Sequence, residues 1–468
     1  MANLMGKSGG SNRRTFLKSS AAVGAGFWVA GGVARAASSS PNEQIQVAAI
    51  GVGGKGDSDC TDASEFAKIH ALCDVDSKFL KGMALKMKAR KKPVDADKLF
   101  ADYRELLDKL GDQIDAVIVS TPDHMHAPIA SKALSMGKHV YCQKPLTRTI
   151  FEARRLGELA AKYNCVTQMG NQFTAFNPMR EAAAQIAAGQ IGTVKEVHLW
   201  TNRPIWPQGE ARPAERPIPP TLNWELWQGV AAHRPYGDGY HPFKWRGWWD
   251  YGTGALGDMA CHTANLPFKA LNMRDPISVE AQTAGHNGDS YPAWSKIRFE
   301  FPELDGRAAF TMNWYDGGQK PDASLTADMM HLVPKSKPEG DPNGKEEPRL
   351  ENSGCLFIGD KGKFYAGGDY AEICRIFSDG VEPMKVDYVQ SPGHVQEFYD
   401  GIRDRSKVPV SNFTNYGGPL TETILLGNLA VWKQGRVEWD AKTMTPLNDS
   451  SLAKIVKPEY QNGFELYS

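Results

Sequence analysis

The chain has 468 residues, and its 54 Lys plus Arg residues balance its 54 Asp plus Glu residues, so the formal net charge is zero. This balance argues against nucleic acid or an anionic membrane surface as a partner. No apolar run reaches the ~20 residues that a membrane-spanning helix needs, so we expect no membrane anchor in the mature protein.

The first 43 residues are predicted to be an export signal and a linker. Asn12–Lys18 contains two adjacent arginines and precedes the apolar run Ala21–Ala34, which ends in a small-residue cleavage pattern. This order is typical of a twin-arginine signal peptide over residues 1–36, followed by a linker over 37–43. We therefore expect the twin-arginine translocase as a partner during export, and a periplasmic or otherwise exported protein.

Residues 44–172 have the alternating strand and helix pattern of a dinucleotide-binding Rossmann domain. The predicted strands are Ile45–Ile50, Ile69–Cys73, Ala116–Ser120, His139–Cys142 and Val166–Met169. The predicted helices are Lys78–Arg90, Pro128–Met136 and Phe151–Tyr163. Strands that alternate with helices at this spacing indicate a parallel, doubly wound α/β sheet.

Residues 173–440 are predicted to form an α+β domain for substrate binding and oligomerisation, followed by a C-terminal tail over 441–468. The predicted strands are Glu196–Thr201, Ser295–Phe301, Ala308–Trp314 and Gly354–Ile358. The predicted helices are Val395–Arg403 and Thr421–Trp432. The alternating strands indicate a large, mostly antiparallel open sheet, through which we expect a homodimer or homotetramer to form. Within this domain, the Trp- and Pro-rich stretch 203–250 is predicted to be a lid or an arm.

A glycine-rich loop follows the first predicted strand. Gly51 permits a tight turn, Gly53 lets the backbone approach a pyrophosphate, and Gly56 allows close packing of the next helix. With Gly54 and Lys55, this loop is predicted to bind a dinucleotide at the helix N-terminus, where unpaired N–H groups favour an anion.

Asp74 closes the next predicted strand and is expected to bind the ribose of the dinucleotide. A carboxylate there accepts hydrogen bonds from the ribose 2′-OH and repels a 2′-phosphate, so NAD is favoured over NADP. Thr121, Pro122 and His126 follow a further strand at the ligand-binding edge of the sheet and are predicted to contact the cofactor. His124 and His126 form an H-x-H pair, but without a nearby third ligand we expect no metal.

Two further motifs carry a family resemblance. Gln143-Lys144-Pro145 ends the fourth strand, and the glycine-rich stretch Gly252–Gly257 leads into Asp258 and His262. In this order, after the glycine loop, they resemble the Gfo/Idh/MocA oxidoreductases (glucose-fructose oxidoreductase, inositol dehydrogenase and rhizopine catabolism proteins). The resemblance spans about Ile45 to Asn265.

The resemblance implies that Lys144 lies beside the nicotinamide and the substrate, and that His262 is the general base. Asp258 would hold substrate hydroxyls and bias the histidine, since residues four apart lie on one helix face. Lys144 would stabilise the developing charge on the reacting oxygen. Gln143, also expected to contact the cofactor, replaces the family's usual Glu and so removes a charge near it.

The aromatic stretch before Asp258 is predicted to bind substrate. His241, Arg246 and Asp250 could bind hydroxyls, and Trp248 could pack on the C–H face of a sugar ring. The alternative, that these aromatic residues fill an oligomer interface, has equal weight because aromatic residues and Arg are enriched in both settings.

Three functions fit the sequence. The first is an exported NAD-dependent oxidoreductase that acts on a sugar, cyclitol or related polyol and holds its cofactor tightly. The second, which the resemblance also implies, is an NAD-dependent glycosidase that oxidises the sugar transiently and recycles its cofactor. The third is a non-enzymatic, nucleotide-bound sugar-binding protein.

Overall fold

The computed structural model describes residues 44–338, 341 and 343–468, and it places Gln44–Ser468 in one compact unit. The predicted twin-arginine signal and its linker lie outside the described residues. Among the described helices, none combines the length and the apolar character that a membrane crossing requires.

The first part of the unit is a parallel sheet with helices on its faces. Its strands are β1 (Gln46–Ile50), β2 (Lys68–Cys73), β3 (Leu99–Phe100), β4 (Ala116–Val119), β5 (His139–Cys142) and β6 (Thr167–Met169). Its helices are α1 (Lys55–Ala63), α2 (Ser77–Ala89), α3 (Tyr103–Leu110), α4 (His126–Ser135) and α5 (Ile150–Lys162). The strand order β3-β2-β1-β4-β5-β6, with every pair parallel, confirms the predicted Rossmann sheet.

Local sequence explains where these helices start. The carboxylates of Asp76 and Asp102 accept hydrogen bonds from backbone N–H groups at the starts of α2 and α3. Thr149 and Glu152 form a reciprocal capping box at the start of α5. Such caps satisfy N–H groups that have no partner within the helix.

The second part is built on a nine-stranded sheet. Its strands are β7 (Val194–Trp200), β8 (Ser278–Thr283), β9 (Ser295–Phe301), β10 (Phe310–Tyr315), β13 (Gly354–Gly359), β14 (Lys363–Gly367), β15 (Arg375–Phe377), β16 (Arg436–Asp440) and β17 (Thr445–Pro446). A separate hairpin pairs β11 (Lys335–Ser336) with β12 (Glu347–Pro348). The order is β15-β14-β13-β7-β10-β9-β8-β16-β17, and only the β7–β10 pair is parallel. This confirms the predicted, mostly antiparallel second sheet.

The remaining helices join the two sheets into one unit. They are α6 (Asn177–Ala187), α7 (Trp224–Gln228), α8 (Gly254–Thr263), α9 (Asn265–Leu271), α10 (His394–Arg403), α11 (Gly418–Lys433) and α12 (Ala453–Val456). Helix α11 packs between α5 and α8. Phe398 and Tyr399 of α10 belong to the apolar core beside β1 and β2, so the chain returns to the first sheet near its end.

The Trp-rich stretch forms an apolar core of its own. Residues 222–251, here called the aromatic segment, bury Trp224, Trp227, Trp245 and Trp248, together with Tyr240 and Tyr251, against one another. Because these rings are buried within the chain, they do not form an exposed oligomer interface, and of them Trp227 and Trp245 line a cleft.

Candidate active site

A cleft of about 530 Å³ lies at the carboxyl edge of the parallel sheet. One set of lining residues follows the strands of this sheet, among them Asp74, Thr121 and Lys144. A second set comes from the aromatic segment, including Trp227 and His241 to Arg246. Ligands of doubly wound sheets bind at this edge, and the volume is typical of small-molecule sites.

The geometry of the glycine loop fits a dinucleotide. A Cβ on Gly51 would lie 2.8 Å from the Ser120 backbone, and one on Gly56 would lie 1.9 Å from the Gly51 oxygen. These contacts confirm the tight turn and the close helix packing. A Cβ on Gly53 would meet the Phe79 ring at 2.5 Å, so the missing side chain also makes room for that ring, and Gly53 lines the cleft.

Gly54 leaves open space beside the loop. It has a φ of 54°, and among the described residues no neighbouring heavy atom lies within 4 Å of where its Cβ would stand. Gly54 is also the N-cap of α1 and has no side chain to satisfy the first N–H groups of the helix. The N–H groups of Gly56 and Asp57 donate to the Gly53 and Gly54 carbonyls at 2.9 and 3.2 Å, so at the start of α1 an anion would be held by the N–H groups before them and by the helix dipole.

Asp74 stands at the end of β2, next to this loop. Its Oδ2 accepts a hydrogen bond from Val52 N and its Oδ1 accepts one from Asp76 N, both at 2.8 Å. Burial raises the pKa of Asp74 to about 6, although these backbone donors oppose the shift. The group is therefore mainly ionised at neutral pH. A carboxylate has about four acceptor sites, so beside the backbone donors Val52, Gly53 and Asp76 it can still accept a hydrogen bond from a ribose hydroxyl.

Thr121 and Pro122 line the cleft after β4, as predicted, whereas His126 does not. The Thr121 hydroxyl is buried and has no hydrogen-bond partner among the described residues, so a ligand could satisfy it. The His126 ring lies between two backbone carbonyls, with Nδ1 2.9 Å from Pro145 O and Nε2 2.8 Å from Thr121 O. His126 thus ties the loop after β4 to the loop after β5 and reaches the cofactor only through them.

His124 has a similar internal role. Its Nε2 lies 2.9 Å from Trp227 O and its Nδ1 lies 3.2 Å from Tyr251 O, so the ring joins the aromatic segment to the end of β4. Burial lowers the pKa of both His124 and His126 to about 4. The H-x-H pair is therefore neutral, and its ring nitrogens face backbone oxygens.

Lys144 and Asp258 are in direct contact. Lys144 Nζ donates to the backbone oxygen and to Oδ1 of Asp258, both at 2.8 Å, and Arg246 Nε donates to the same Oδ1 at 3.1 Å. Burial alone would raise the pKa of Asp258, but the two cations outweigh it and hold that pKa well below its usual range. Asp258 is thus a permanent carboxylate that fixes both cations at one end of the cleft.

His262 lies one helical turn after Asp258 on α8, as the sequence predicts. Its ring is 5% exposed and lies edge-on to Tyr370, with 4.6 Å between ring centroids. Burial, followed by the charge of Lys144, lowers the pKa of His262 well below its ordinary value. Its Nδ1 is buried and has no partner among the described residues. The imidazole is therefore neutral and able to accept a proton.

Gln143 contacts a buried carboxylate that our sequence reasoning missed. Gln143 Nε2 donates to Asp59 Oδ2 at 2.8 Å, Ser120 Oγ donates to the same oxygen at 2.8 Å, and Lys55 Nζ lies 2.5 Å from Oδ1. Asp59, on α1, thus places a negative charge beside position 143, where the family usually has Glu. In the sequence, the amide of Gln143 was the only feature that pointed to a carboxylate nearby.

This contact makes a prediction about Gln143. Gln143→Glu would set two carboxylates against each other, and we expect it to weaken NADH binding about tenfold, as measured by fluorescence titration. The double variant Asp59→Asn/Gln143→Glu restores one charge and one amide, so we expect it to recover most of the affinity. Normal binding by the single variant, or no recovery in the double variant, would contradict this explanation.

The four substrate-binding candidates lie in different places. Arg246 lines the cleft and its guanidinium stacks over Trp245, 4.2 Å from the ring centroid. His241 also lines the cleft, and its Nε2 lies 3.1 Å from Oδ2 of Asp76, which follows the end of β2. His241 is therefore on the nucleotide side of the cleft.

Trp248 and Asp250 do not line the cleft. Trp248 is 1% exposed and its indole N–H donates to Gly239 O at 2.7 Å. Asp250 Oδ2 accepts hydrogen bonds from Arg212 at 2.7 Å and from Arg234 at 2.6 Å. Both residues stabilise the aromatic segment, so the geometry does not support them as substrate ligands.

Comparison with known proteins is consistent with this site. Residues 45–171 match the Gfo/Idh/MocA family described as an oxidoreductase family with an NAD-binding Rossmann fold. Residues 191–311 match the C-terminal alpha/beta domain of the same oxidoreductase family. Together the two ranges cover more than half of the chain.

Two curated relatives have different names. A levoglucosan dehydrogenase of Pseudarthrobacter phenanthrenivorans is 28% identical over 166 residues, which are 36% of this chain and 35% of the relative. A glycosyl hydrolase family 109 protein of Solibacter usitatus is 34% identical over 195 residues, 39% of this chain and 44% of the relative. The matches thus span less than half the length of either relative.

A solved structure supports the fold over most of the chain. An inositol dehydrogenase homolog from Azotobacter vinelandii, complexed with NADH and myo-inositol, superposes with a TM-score of 0.53 at 15% identity. The superposition covers 85% of this chain and 98% of that one. With both domains matched in order around the cleft, this chain belongs to the Gfo/Idh/MocA family of NAD-dependent oxidoreductases.

Proposed function

We propose that this protein is an exported oxidoreductase that transfers hydride between a secondary hydroxyl of a sugar, cyclitol or related polyol and a tightly held NAD. The observation that carries this proposal is the contact of Lys144, which lines the nucleotide cleft, with Asp258, one helical turn before a buried, neutral His262 that lies behind the cleft lining.

The chain's own residues account for binding and proton transfer. Bound along the glycine loop and Asp74, NAD would supply the hydride acceptor. Among the described residues, two of the three N–H bonds of the Lys144 ammonium are used by Asp258, which leaves one for the reacting oxygen. That hydrogen bond strengthens as negative charge develops on the oxygen.

His262 would take the hydroxyl proton on a ring nitrogen while the carbon gives up its hydride. The nearby Asp258 carboxylate favours the imidazolium that results, because it raises the pKa of His262 against burial. Arg246 would keep Asp258 in place and would bind a further substrate hydroxyl with its remaining N–H groups.

A second candidate is an NAD-dependent glycosidase, because several of the relatives are named as glycosyl hydrolase family 109 proteins and one as an alpha-N-acetylgalactosaminidase. In that reaction the sugar is oxidised, eliminates its aglycone, adds water and recovers the same hydride. The net reaction is hydrolysis, and the cofactor leaves the cycle unchanged. A tightly held cofactor in an exported protein suits this cycle as well.

One experiment distinguishes the two reactions. Purified protein is incubated with a panel of free sugars and polyols and, separately, with nitrophenyl glycosides, without added NAD. For the proposed oxidoreductase we expect a keto product and bound NADH in equal amounts, and no release of nitrophenol. Nitrophenol release without net NADH would replace the proposal with the glycosidase. Tight sugar binding without turnover would instead favour a sugar-binding protein.

A further inference from the structure

The last residues of the chain cross from the parallel sheet to the aromatic segment. Residues 460–468 are here called the C-terminal strap. At the sheet side, the Tyr460 hydroxyl donates to Glu152 Oε1 at 2.6 Å. At the other side, Asn462 Nδ2 donates to two backbone carbonyls of the aromatic segment, at 2.8 Å each. The strap is thus held at both sides.

The end of the strap is anchored as well. Tyr467 N donates to Ser131 Oγ on α4 at 3.1 Å, and the Tyr163 hydroxyl donates to the backbone oxygen of Ser468 at 2.9 Å. A segment with this many contacts to two parts of the fold has a fixed course, unlike a frayed terminus.

Between these anchors, Phe464 enters the wall of the cleft. It is 8% exposed and is one of the residues that line the cavity. The guanidinium of Arg104 lies 4.2 Å from its ring centroid, and the Tyr103 ring is stacked beside it at 6.3 Å. Phe464 is therefore held in position by the start of α3.

This position is at the adenosine end of the cleft. Helix α3 follows β3, which pairs with β2 at the outer edge of the sheet. Asp74 at the end of β2 donates its backbone N–H to Phe100 O of β3 at 3.1 Å, so Tyr103 and Phe464 lie on the far side of Asp74 from Lys144. In Rossmann folds the β1–β3 half binds the adenosine part of a dinucleotide.

We propose that the C-terminal strap is part of the cofactor site, in which Phe464 closes the adenosine end of the cleft and slows the dissociation of the dinucleotide. The inference rests on the proposed function only in that the cleft takes NAD. The strap lies outside both ranges that match the family.

The physical basis is the removal of apolar surface from water. An adenine ring that packs against an aromatic wall gains about as much as a base on an aromatic side chain, which converts to a factor of about ten in affinity. Changes in affinity between closely related complexes are found mostly in the dissociation rate. A wall that is fixed before binding also adds no ordering cost.

The test compares Phe464→Ala with Tyr467→Ala in the full chain. Tyr467 belongs to the same strap, and the Lys132 ammonium lies over its ring, 5.3 Å from the centroid. Because Tyr467 does not line the cleft, it is a matched control. Protein loaded with NADH is diluted into excess NAD⁺, and the loss of NADH fluorescence gives the dissociation rate. We expect dissociation about tenfold faster from Phe464→Ala and within twofold of wild type from Tyr467→Ala.

A second ligand locates the effect. ADP-ribose contains the adenosine end but no nicotinamide, so its affinity for Phe464→Ala should fall by the same factor as that of NADH. Unchanged dissociation from Phe464→Ala, equal acceleration by Tyr467→Ala, or normal ADP-ribose affinity would each overturn the inference. If Phe464→Ala unfolds, Phe464→Leu replaces it, and we expect a smaller acceleration of the same sign; no acceleration overturns the inference.

The result is distinguishable from failure of the proposed function. Wild-type protein that binds NADH, together with an unaffected Phe464→Ala variant, overturns the role of the strap alone. Wild-type protein that binds no NADH overturns the proposed function itself.

Discussion

Lys144→Ala is expected to lower kcat for sugar oxidation by about 10²–10³-fold, which is the usual cost of removing one donor to a developing oxyanion. KM should change less, because the hydrogen bond strengthens mainly in the transition state. NADH affinity and the fold should remain near normal, since Asp258 keeps its contact with Arg246. Steady-state kinetics and an NADH titration measure the two effects.

Lys363→Ala is a matched control for Lys144→Ala. Lys363 Nζ donates to one backbone carbonyl, that of Leu325, and to the Asp328 carboxylate at 2.8 Å, which resembles the bonding of Lys144. It lies on β14 of the second sheet, and we expect its loss to change kcat by less than twofold. Wild-type kcat in Lys144→Ala, or an equal loss in both variants, would contradict the catalytic role of Lys144.

Much of the fold follows from the sequence because the strands of the first sheet are buried on both faces. Such strands are continuous apolar runs between turn residues, and His139–Cys142 was predicted with the bounds that the structure has. Ser295–Phe301 in the second sheet was also predicted with its observed bounds, from its alternation of apolar and polar residues. Short elements without such patterns, among them β3, were missed.

The site was only partly predictable, for a different physical reason. Lys144, Asp258 and His262 lie in short motifs whose residue spacing can be read directly from the sequence. Asp59 reaches Gln143, and Phe464 reaches the cleft, only through tertiary packing, which leaves no periodic signal near them. Trp248 was misplaced because an aromatic residue in a core and one in a sugar site look alike in sequence.

The proposed role of the strap and the predicted export signal both concern retention of the cofactor. An exported protein cannot draw on a cytoplasmic pool of NAD, so a cofactor taken up before export has to dissociate slowly. The twin-arginine route, which we predict from residues 1–36, carries folded proteins, and a fixed wall at Phe464 would keep the cofactor in place during and after transport. The proposed export and the proposed role of the strap therefore support each other but are tested separately.

His262→Ala is expected to lower kcat for oxidation by about 10²–10⁴-fold, the range typical of a lost general base. His262→Gln, which keeps a polar side chain of similar length but accepts no proton at neutral pH, should lose a similar factor. NADH dissociation should stay near wild type in both variants, because His262 is not among the residues that line the nucleotide cleft. Near-normal turnover in His262→Gln would mean that another group takes the proton.

The pH dependence gives a stricter test, because the base has to be neutral. Burial and Lys144 lower the pKa of His262, so its neutral form persists at pH 6, where an ordinary histidine would be largely protonated. The rate should therefore fall only at lower pH. Burial raises the pKa of Asp74 to about 6 and that of Asp123 to about 7, so these two groups of the cleft also titrate near neutral pH. A variant therefore has to show which acid limb of the pH–rate profile belongs to His262.

Asp258→Asn identifies that limb. Removing the carboxylate takes away a charge that raises the pKa of His262, so the remaining activity should keep its acid limb at a lower pH than in wild type. Lys144→Ala removes a charge that lowers this pKa, so its acid limb should move to higher pH. Asp123 responds to the same two charges with the same signs, so both variants are also measured in an Asp123→Asn background. Opposite shifts that persist in that background are expected if the buried imidazole of His262 accepts the proton. Equal shifts, or no shift in either variant, would assign the limb to another group.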